Sequence, residues 1–496
     1  MGNLSVKLKD IYFGIPDGAA EAQNENFEEL FYDQNNKYEE LMNNNEKFLV
    51  IGSKGTGKTY LAHYAMIKSP KTRMKKMVDA NDFSIYKLAN LYTDEINNDL
   101  IYALCKWFLL DKIAHMLIEK HKIKSFVPLC KMNRLKKLVE QYDNDDFFKI
   151  MRKTGKKSID KGYSSEKEND EKFKRNANIR SSEEKSFEAE RKKFFELINT
   201  YENLIFKCFS KKDDLLLIID DLDEIEKDKD KIGDIIINLI RATQNYNFKS
   251  CKGKKKIILL LRTDILNELQ GQNANINKIK TSCSVELYWL FDSMTDQYKH
   301  PLMSMVLHKI KVSCPQLREL DNKKLFMELF PEKINSKPPL DYLLDYGFGR
   351  PRDIITFLNH TKNICPEDNA FSAVALKEAR KLYSDDFYNE MLNQASFYKK
   401  KEFVKECLNL LAAMKQITFS YEEIKKVYME NSQSYTSIED IDSALTFLYK
   451  IGAIGNVWKA NKKSHSCWAY KKDAMDDVDL SKKFTIHYGL RKKFSI

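Results

Sequence analysis

An eight-residue run, GSKGTGKT, holds the residues whose types and spacing best fit a chemical task. It spans Gly52 to Thr59 and places three of the chain's 16 glycines within six positions. Glycine lets successive backbone N–H groups turn toward one point and approach an anion closely. A lysine and a hydroxyl directly after such a loop are the side chains that meet terminal phosphates and a magnesium ion. We therefore interpret the run as a phosphate-binding loop.

This loop predicts a set of contacts to ATP and Mg²⁺. Lys58 is expected to bridge the β- and γ-phosphates, and Thr59 to place its hydroxyl on the metal. An ordinary glycine-rich turn is the alternative interpretation. The expected nucleotide-binding residues are Gly52, Ser53, Lys54, Gly55, Thr56, Gly57, Lys58, Thr59 and Tyr60.

An acidic partner for the loop follows a second apolar run. Leu215 to Ile219 reads as a buried strand and leads directly into two aspartates. Asp220 is expected to hold Mg²⁺, and Asp221 to orient or deprotonate the attacking water. Asp223 and Glu224 are rivals for the base, and a solvated acidic turn is the alternative for the whole cluster.

Two arginine-containing segments complete the predicted chemistry. A third apolar run, Ile257 to Leu261, ends at Arg262 and Thr263, either of which could sense a γ-phosphate. Further on, Arg350 and Arg352 flank a proline at the start of an apolar-periodic helix. A cation there opposes the helix dipole, so the pair predicts a bound anion, for which the arginine fork is well shaped. Plain surface charge is the alternative at both places.

Short apolar runs and amphipathic runs alternate along the first half of the chain. Phe48 to Ile51 predicts a strand before the loop, and Tyr60 to Ile67 a helix after it. Residues 94–120 predict a further helix. Residues 151–190 contain few apolar side chains, which predicts a mobile insertion or a partner-binding arm that folds on contact, and helix returns over 187–209.

The last hundred residues predict a winged helix-turn-helix. Helices are expected over 403–414, over 421–429 and from an N-cap at Ser437, with strands over 417–419, 453–458 and 467–471. The tip KANKKSHS between the last two strands would form the wing. The lysines of this basic wing are the expected DNA contacts, while the acidic start of the third helix favours a protein contact instead. The DNA-contact candidates are Lys459, Lys462, Lys463 and Lys471.

Taken in order, GSKGTGKT, LLLIIDDLDE, LLLRTD and GRPRDII resemble the AAA+ and STAND-type P-loop ATPases, with origin-initiator and KAP-type ATPases as nearer relatives. The stretch from Tyr12 to Glu21 and the end from Phe484 to Leu490 fit a bacterial family within that group. The resemblance implies an ATPase core, a helical lid that carries Arg352 onto the nucleotide, and nucleotide-controlled assembly. In that group the residue in the position of Arg262 or Thr263 is usually Asn or Thr.

We expect an α/β fold: a P-loop parallel sheet with a helical insertion, an α-helical lid and a C-terminal winged helix. The expected domains are 1–290 (insertion 85–200), 291–395 and 396–496. The net charge of +11 permits an anionic partner, although an AT-rich genome explains the lysines equally well. Nine cysteines without a C-x-x-C pair, and no long apolar run, indicate a cytoplasmic protein without membrane contact.

Three functions are compatible with these motifs. The first is an ATPase that couples nucleotide state to binding of double-stranded DNA or to assembly, in defence against phage or mobile elements. The second is a STAND-like switch that forms a homo-oligomer with ATP and recruits a partner effector protein. The third is a non-enzymatic scaffold, which the intact loop and aspartates disfavour.

Overall fold

The structure is a computed structural model that describes most of the 496 residues. The described residues are 4–79, 98–121, 129–142, 175–222, 229–250, 254–272, 274–291, 296–395, 399–472, 474–475 and 477–496.

Nine β-strands occur in the described ranges: β1 (Leu49–Gly52), β2 (Met74–Val78), β3 (Leu215–Ile219), β4 (Lys255–Arg262), β5 (Ser284–Glu286), β6 (Thr418–Phe419), β7 (Ile454–Ala460), β8 (Lys463–Cys467) and β9 (Lys483–Ile486).

The α-helices of the described ranges are α1 (Gly18–Glu21), α2 (Phe27–Leu30), α3 (Lys37–Asn43), α4 (Lys58–Lys68), α5 (Asn98–His121), α6 (Leu129–Tyr142), α7 (Arg175–Cys208), α8 (Lys229–Lys249), α9 (Thr263–Gln272), α10 (Ala274–Cys283), α11 (Pro301–Ser313), α12 (Asn322–Leu329), α13 (Pro339–Tyr346), α14 (Pro351–Ile364), α15 (Ala373–Ala395), α16 (Lys401–Ala413), α17 (Tyr421–Glu430), α18 (Ile441–Lys450) and α19 (Tyr488–Arg491). Across these same ranges, no helix is both long and apolar enough for a membrane crossing.

The chain divides into two compact units, and their boundaries cut through the glycine loop. One, here the sheet unit, comprises residues 36–53 and 61–286. The other, the loop-and-helix unit, comprises residues 1–35, 54–60 and 287–496. This division differs from the sequence-based domains, because residues 291–395 and 396–496 pack into one body together with the N-terminal segment and most of the loop.

The sheet unit is built on five parallel strands in the order β2-β3-β4-β1-β5. Every residue of β1 and β3 is buried, as expected for a parallel sheet covered on both faces. Helix α5 packs against α7 and α8, and α8 also covers β4. The predicted α/β class with a parallel sheet is confirmed.

Strand order reverses at β1. From β1 the chain crosses to β2 at the far edge, returns through β3 and β4, and then passes β1 to place β5 on its other side. All five strands end at the same edge because all are parallel. In open α/β sheets, ligands bind beyond the carboxyl ends of the strands at such a reversal.

The region expected to be a mobile insertion is in part helical. Helix α7 begins at Arg175 rather than near residue 187, so residues 175–190 belong to a helix. The apolar residues of α7 from Phe194 onward bury against α5, which supplies an anchor that the polar segment lacks. Residues 151–174 of that expectation lie outside the described residues.

The loop-and-helix unit has a mainly helical core and one small antiparallel sheet in the order β6-β9-β7-β8. Helix α14 packs on α15, and α15 contacts both α16 and α19. The hairpin of β7 and β8 turns at Asn461 and Lys462, both with positive φ, as a two-residue turn of type I′ requires. The strands therefore occupy most of the predicted tip 459–466, and of the predicted strand 467–471 only Cys467 belongs to β8.

The predicted N-cap of α18 is wrong. Asp440, not Ser437, caps the helix, because its side chain accepts hydrogen bonds from the Ser443 backbone N–H (2.7 Å) and hydroxyl. Ser437 instead donates its backbone N–H to Glu406 at 2.7 Å, and so joins this segment to α16. The helix therefore begins at Ile441, four residues after the predicted cap.

A buried lysine on β4 leads to a prediction about pH. Lys256 donates its ammonium to the carbonyl oxygens of Leu41 and Asn44 at the end of α3. Burial, aided by the charge of Arg73, lowers the pKa of Lys256 to about 7. An unfolded lysine titrates near 10.4, so between these values the unfolded chain binds more protons and the free energy of unfolding should rise with pH.

We expect this rise to reach about 1 kcal/mol per pH unit between pH 7.5 and 9.5, and to be missing from Lys256→Met. Denaturant unfolding of both proteins at several pH values measures the difference between their slopes. Equal slopes would show that Lys256 does not titrate in this range. Lys255→Met, at the neighbouring residue of β4, is the control.

Candidate functional site

The glycine loop has the backbone expected of an anion cradle. Gly55 and Gly57 have φ of +84° and +96°, a conformation that side chains with a Cβ disfavour. Helix α4 begins directly afterwards at Lys58 and is 11 residues long, so its first N–H groups follow the loop. On this geometry, and on the donor set of lysine, hydroxyl and backbone N–H, the loop fits the phosphates of a nucleotide.

Within the loop-and-helix unit, Arg350 fixes the position of the loop. Its Nη1 donates to the carbonyl oxygen of Lys54 at 2.8 Å. The rest of its fork binds Asp353, with Nε–Oδ2 at 3.0 Å and Nη2–Oδ1 at 2.6 Å. Burial opposes the charged guanidinium, but Asp353 and Glu390 outweigh it, so the pKa of Arg350 lies above its ordinary value. The sequence analysis predicted that this arginine binds an anion. In the structure its guanidinium donates to the Lys54 carbonyl and to the Asp353 carboxylate.

The local sequence explains why Asp353 is available for this pairing. Pro351 occupies the first turn of α14, where its missing N–H costs nothing. Asp353 then accepts the backbone N–H groups of Phe348 at 2.8 Å and Arg350 at 3.2 Å, which satisfies donors at the helix start. One carboxylate thus both caps α14 and anchors the arginine fork.

Arg352 lies against the loop itself. Its backbone N–H faces the carbonyl of Gly55 at 3.4 Å, and a Cβ added to Gly55 would come within 3.0 Å of the Arg352 Cβ. Its guanidinium donates to the carbonyl of Pro16 at 3.2 Å and to the carboxylate of Glu390 at 3.1 Å. The structure therefore brings together the predicted loop and the predicted arginine.

Trp289 is a loop-holding residue that the sequence analysis missed. Its indole Nε1 donates to the carbonyl of Thr56 at 2.9 Å, and Thr56 is buried. A lone tryptophan carries no motif, so no signal in the sequence linked it to the loop.

Tyr60 has a packing role within this unit. Its ring lies edge-on to Phe27 (centroids 4.9 Å apart) and stacks on Phe31 (5.3 Å). The ammonium of Lys309 lies 4.7 Å from the ring centroid and is paired with Glu21, and both charged side chains are almost completely buried. The tyrosine side chain is thus occupied by protein contacts.

In the sheet unit, the two predicted aspartates follow β3. Asp220 is buried, with 4% of its surface exposed, and its backbone N–H bonds to the carbonyl of Val78 at 2.9 Å. The backbone N–H of Asp221 donates to the Asp220 carboxylate at 2.8 Å. Asp221 has φ of +54°, an uncommon conformation for a residue with a side chain, and such strain clusters at functional sites. The rival candidates Asp223 and Glu224 lie outside the described residues.

Arg262 and Thr263 lie at the end of β4, next to the start of the loop. Arg262 pairs in register with Gly52 on β1. Its side chain is buried and forks onto Asp264, with Nε–Oδ1 at 3.1 Å. Thr263 begins α9. A nearby carboxylate therefore already balances the Arg262 charge, which weakens the argument for a phosphate contact at that residue.

The four candidate DNA-contact lysines are all exposed, on or beside the β7–β8 hairpin. Lys459 and Lys463 lie on its two strands, Lys462 in its turn, and Lys471 after β8. The sequence analysis missed an aromatic feature there. Trp458 stacks on His465 at 5.6 Å across the strands, and the ammonium of Lys482 lies 4.1 Å from the Trp458 ring centroid.

The described residues contain no group of three or more His, Cys, Asp or Glu side chains that could hold a metal alone. Mg²⁺ does not need one, because it is commonly bound through one or two protein oxygens together with substrate phosphates and water. A threonine hydroxyl and an aspartate, as in Thr59 and Asp220, are suitable oxygen donors of this kind.

Comparison with known proteins identifies one segment. Residues 300–392 match the family model of the FunZ-associated C-terminal helical domain. The match begins at the end of the segment that leads into α11 and runs through α14 into α15, so it includes both arginines and Glu390. No curated protein matches the chain.

The crowding at Gly55 predicts unequal effects of two otherwise similar substitutions. Both Gly55→Ala and Gly57→Ala force a Cβ into a positive-φ backbone, at a cost of about 1 kcal/mol each. Only Gly55→Ala also pushes a methyl group against Arg352, since the nearest atom to a Gly57 Cβ is 3.9 Å away. We expect Gly55→Ala to lower the calorimetric unfolding midpoint by about 2 °C more than Gly57→Ala. Equal midpoints would contradict the close packing of Arg352 on the loop.

Proposed function

We propose that this chain is a P-loop ATPase that binds ATP with Mg²⁺ and hydrolyses it. The observation that carries the proposal is the glycine loop, with its two left-handed glycines, the helix N-terminus that follows it, and two arginines from the α14 segment packed on its backbone. A cradle of this chemistry suits a polyphosphate. The parallel sheet, with buried Asp220 after β3, is compatible with the same activity.

In this proposal each residue has one role. The loop N–H groups and Lys58 bind the β- and γ-phosphates, and Arg352 meets the charge that develops on the transferred phosphoryl group. Thr59 and Asp220 hold Mg²⁺, which neutralises phosphate charge. Asp221 accepts the proton of the attacking water at a carboxylate oxygen. Arg350, already engaged with the loop carbonyl, positions the cradle.

Kinetics of three variants test these roles. Lys58→Ala removes the cation on the terminal phosphates and should abolish tight ATP binding in calorimetry. Asp221→Asn should bind ATP normally but hydrolyse it about 100-fold more slowly, because the general base is lost. Arg352→Ala should lower kcat more than affinity.

Two results would contradict parts of this assignment. Wild-type hydrolysis by Asp221→Asn would show that the base lies elsewhere, with Asp223 and Glu224 next in line. Undetectable ATP binding by the wild-type protein would favour the non-enzymatic scaffold. Lys68→Ala, at the far end of α4, is the matched lysine control.

For the C-terminal part we propose a winged helix that binds double-stranded DNA. Helices α16 to α18 and the small antiparallel sheet β6-β9-β7-β8 support this proposal, in which the β7–β8 hairpin would be the wing. Its exposed lysines suit phosphates, and the half-buried Trp458, stacked on the exposed His465, adds aromatic surface beside them. Acidic residues at the start of α18 favour the second candidate, a STAND-like switch that assembles with ATP and recruits an effector.

Removing the charges on the wing should separate these two candidates. The triple variant Lys459→Gln, Lys462→Gln, Lys463→Gln should weaken binding to a 30-base-pair duplex and reduce the salt slope of log K by about 2 to 3. Fluorescence anisotropy at several salt concentrations measures both. Lys323→Gln, Lys324→Gln, Lys333→Gln, which removes three exposed lysines on and just after α12, is the charge-matched control.

Absence of salt-dependent binding in the wild-type protein would remove the DNA proposal. Light scattering with and without ATP would then test the switch, for which an ATP-dependent rise in mass is expected. The cytoplasmic location is an expectation from cysteine usage and the lack of a long apolar run, and the defence role is an expectation from the family resemblance.

A further inference from the structure

Glu390 lies where two arginines of the loop-and-helix unit converge. Its Oε1 is 3.1 Å from Nη1 of Arg352 and 3.4 Å from Nη1 of Arg350. The Glu390 side chain is 22% exposed, so water screens the contact only in part. Nothing in the sequence marked this glutamate, which belongs to α15 and lies 38 residues from Arg352.

The two arginines depend on Glu390 to different degrees. Arg350 makes three hydrogen bonds to Asp353 and to Lys54 without it. For Arg352, the carboxylate that the described residues supply is Glu390, and the second acceptor is the neutral carbonyl of Pro16. Another anion that binds the Arg352 guanidinium must therefore compete with the Glu390 carboxylate.

Such an anion would have to bind close by. Arg352 packs its Cβ and Cδ on Gly55, at 3.0 and 3.2 Å from the position of an added Cβ. Only the Arg352 guanidinium separates the Glu390 carboxylate from the loop. A carboxylate so close to a bound phosphate repels it and competes with it for the same guanidinium donors. Both effects lower the affinity of the loop for phosphates, and both grow with the number of phosphate charges.

Helix α15 connects Glu390 to the C-terminal segment. One turn before it, the ring of Phe387 stacks on His487 with centroids 4.8 Å apart and planes at 16°. Ser384 donates its hydroxyl to the carbonyl of Gly489 at 2.6 Å. Residues on the same helix thus contact the nucleotide-site arginines and the end of the proposed winged helix.

We propose that Glu390 is a competing counter-ion for Arg352, which weakens nucleotide binding at the loop and makes it depend on the number of phosphates. The inference rests on the proposed function, because it assigns Glu390 to the same nucleotide site. Glu390 acts through Arg352 and is a specificity-determining residue rather than a catalytic one. A phosphate that attracts Arg352 releases the carboxylate of α15, the helix that holds Phe387 and Ser384 against the C-terminal segment.

Isothermal titration calorimetry of ATP and ADP, with Mg²⁺, tests this inference without measuring turnover. Glu390→Gln keeps the shape of the side chain and removes its charge. We expect ATP to bind about fivefold more tightly and ADP less than about twofold more tightly. Glu378→Gln, an exposed glutamate on the same helix, makes the same change in net charge and should leave both affinities within about twofold.

A double variant separates competition from simple repulsion. In the Arg352→Gln background, Glu390→Gln should alter ATP affinity by less than about twofold, because the shared arginine is gone. Weaker or unchanged ATP binding by Glu390→Gln alone would overturn the inference. A fivefold gain that persists without Arg352 would also overturn it, in favour of long-range repulsion.

The outcomes also distinguish this inference from the proposed function. If the wild-type protein gives no heat with ATP, the proposed nucleotide site fails, and the inference with it. If the wild-type protein binds ATP but Glu390→Gln changes the affinities no more than Glu378→Gln does, the nucleotide site stands and the inference alone fails. The thermal unfolding midpoint of each unliganded variant checks that the fold is intact.

Discussion

The glycine loop depends on one buried guanidinium. Arg350 is 3% exposed, yet its charge is compensated by the paired bonds to Asp353, and its remaining donor reaches the Lys54 carbonyl. A buried charge of this kind is tolerated only with such pairing, and removing one partner of a buried pair costs about 3–5 kcal/mol. This guanidinium links α14 to the loop backbone, because it bonds to Asp353 on α14 and to the Lys54 carbonyl. Arg352, two residues further on, contacts the loop at Gly55.

The N-terminal segment completes the same body. Gly14 has φ of +112° and its carbonyl accepts a hydrogen bond from Asn359 on α14, while a Cβ there would crowd Glu21, Ile355 and Lys309. The Glu21–Lys309 pair in turn holds Tyr60, the first residue after the loop's lysine and threonine. The segment from Tyr12 to Glu21, which resembles a family signature in the sequence, therefore packs around the loop.

Local sequence is sufficient to predict the backbone where a few neighbouring residues determine its conformation. The glycines at 55 and 57, the buried run of β3 and Pro351 at the start of α14 each determine backbone structure within a few residues. The structure has a positive-φ turn at the glycines, a strand at β3 and a helix from Pro351. The errors occur where contacts distant in sequence accompany the local structure. Ser437 was predicted to cap α18 but bonds to Glu406 on α16, and residues 175–190, which were expected to be mobile, belong to α7, which packs on α5.

By itself, the sequence determined the glycine run with its lysine and threonine, the strands beside it and the acidic residues after β3, because each of these lies in one continuous stretch. Only the tertiary structure decided which arginine serves the loop backbone, which one lies on Gly55, and that Glu390 shares both. The physical reason is that the strength of an ion pair depends on the distance in space between the two charged groups, not on their separation along the chain. Glu390 is 38 residues from Arg352 along the chain, and no periodicity or spacing selects it from the other acidic residues until α15 packs on α14.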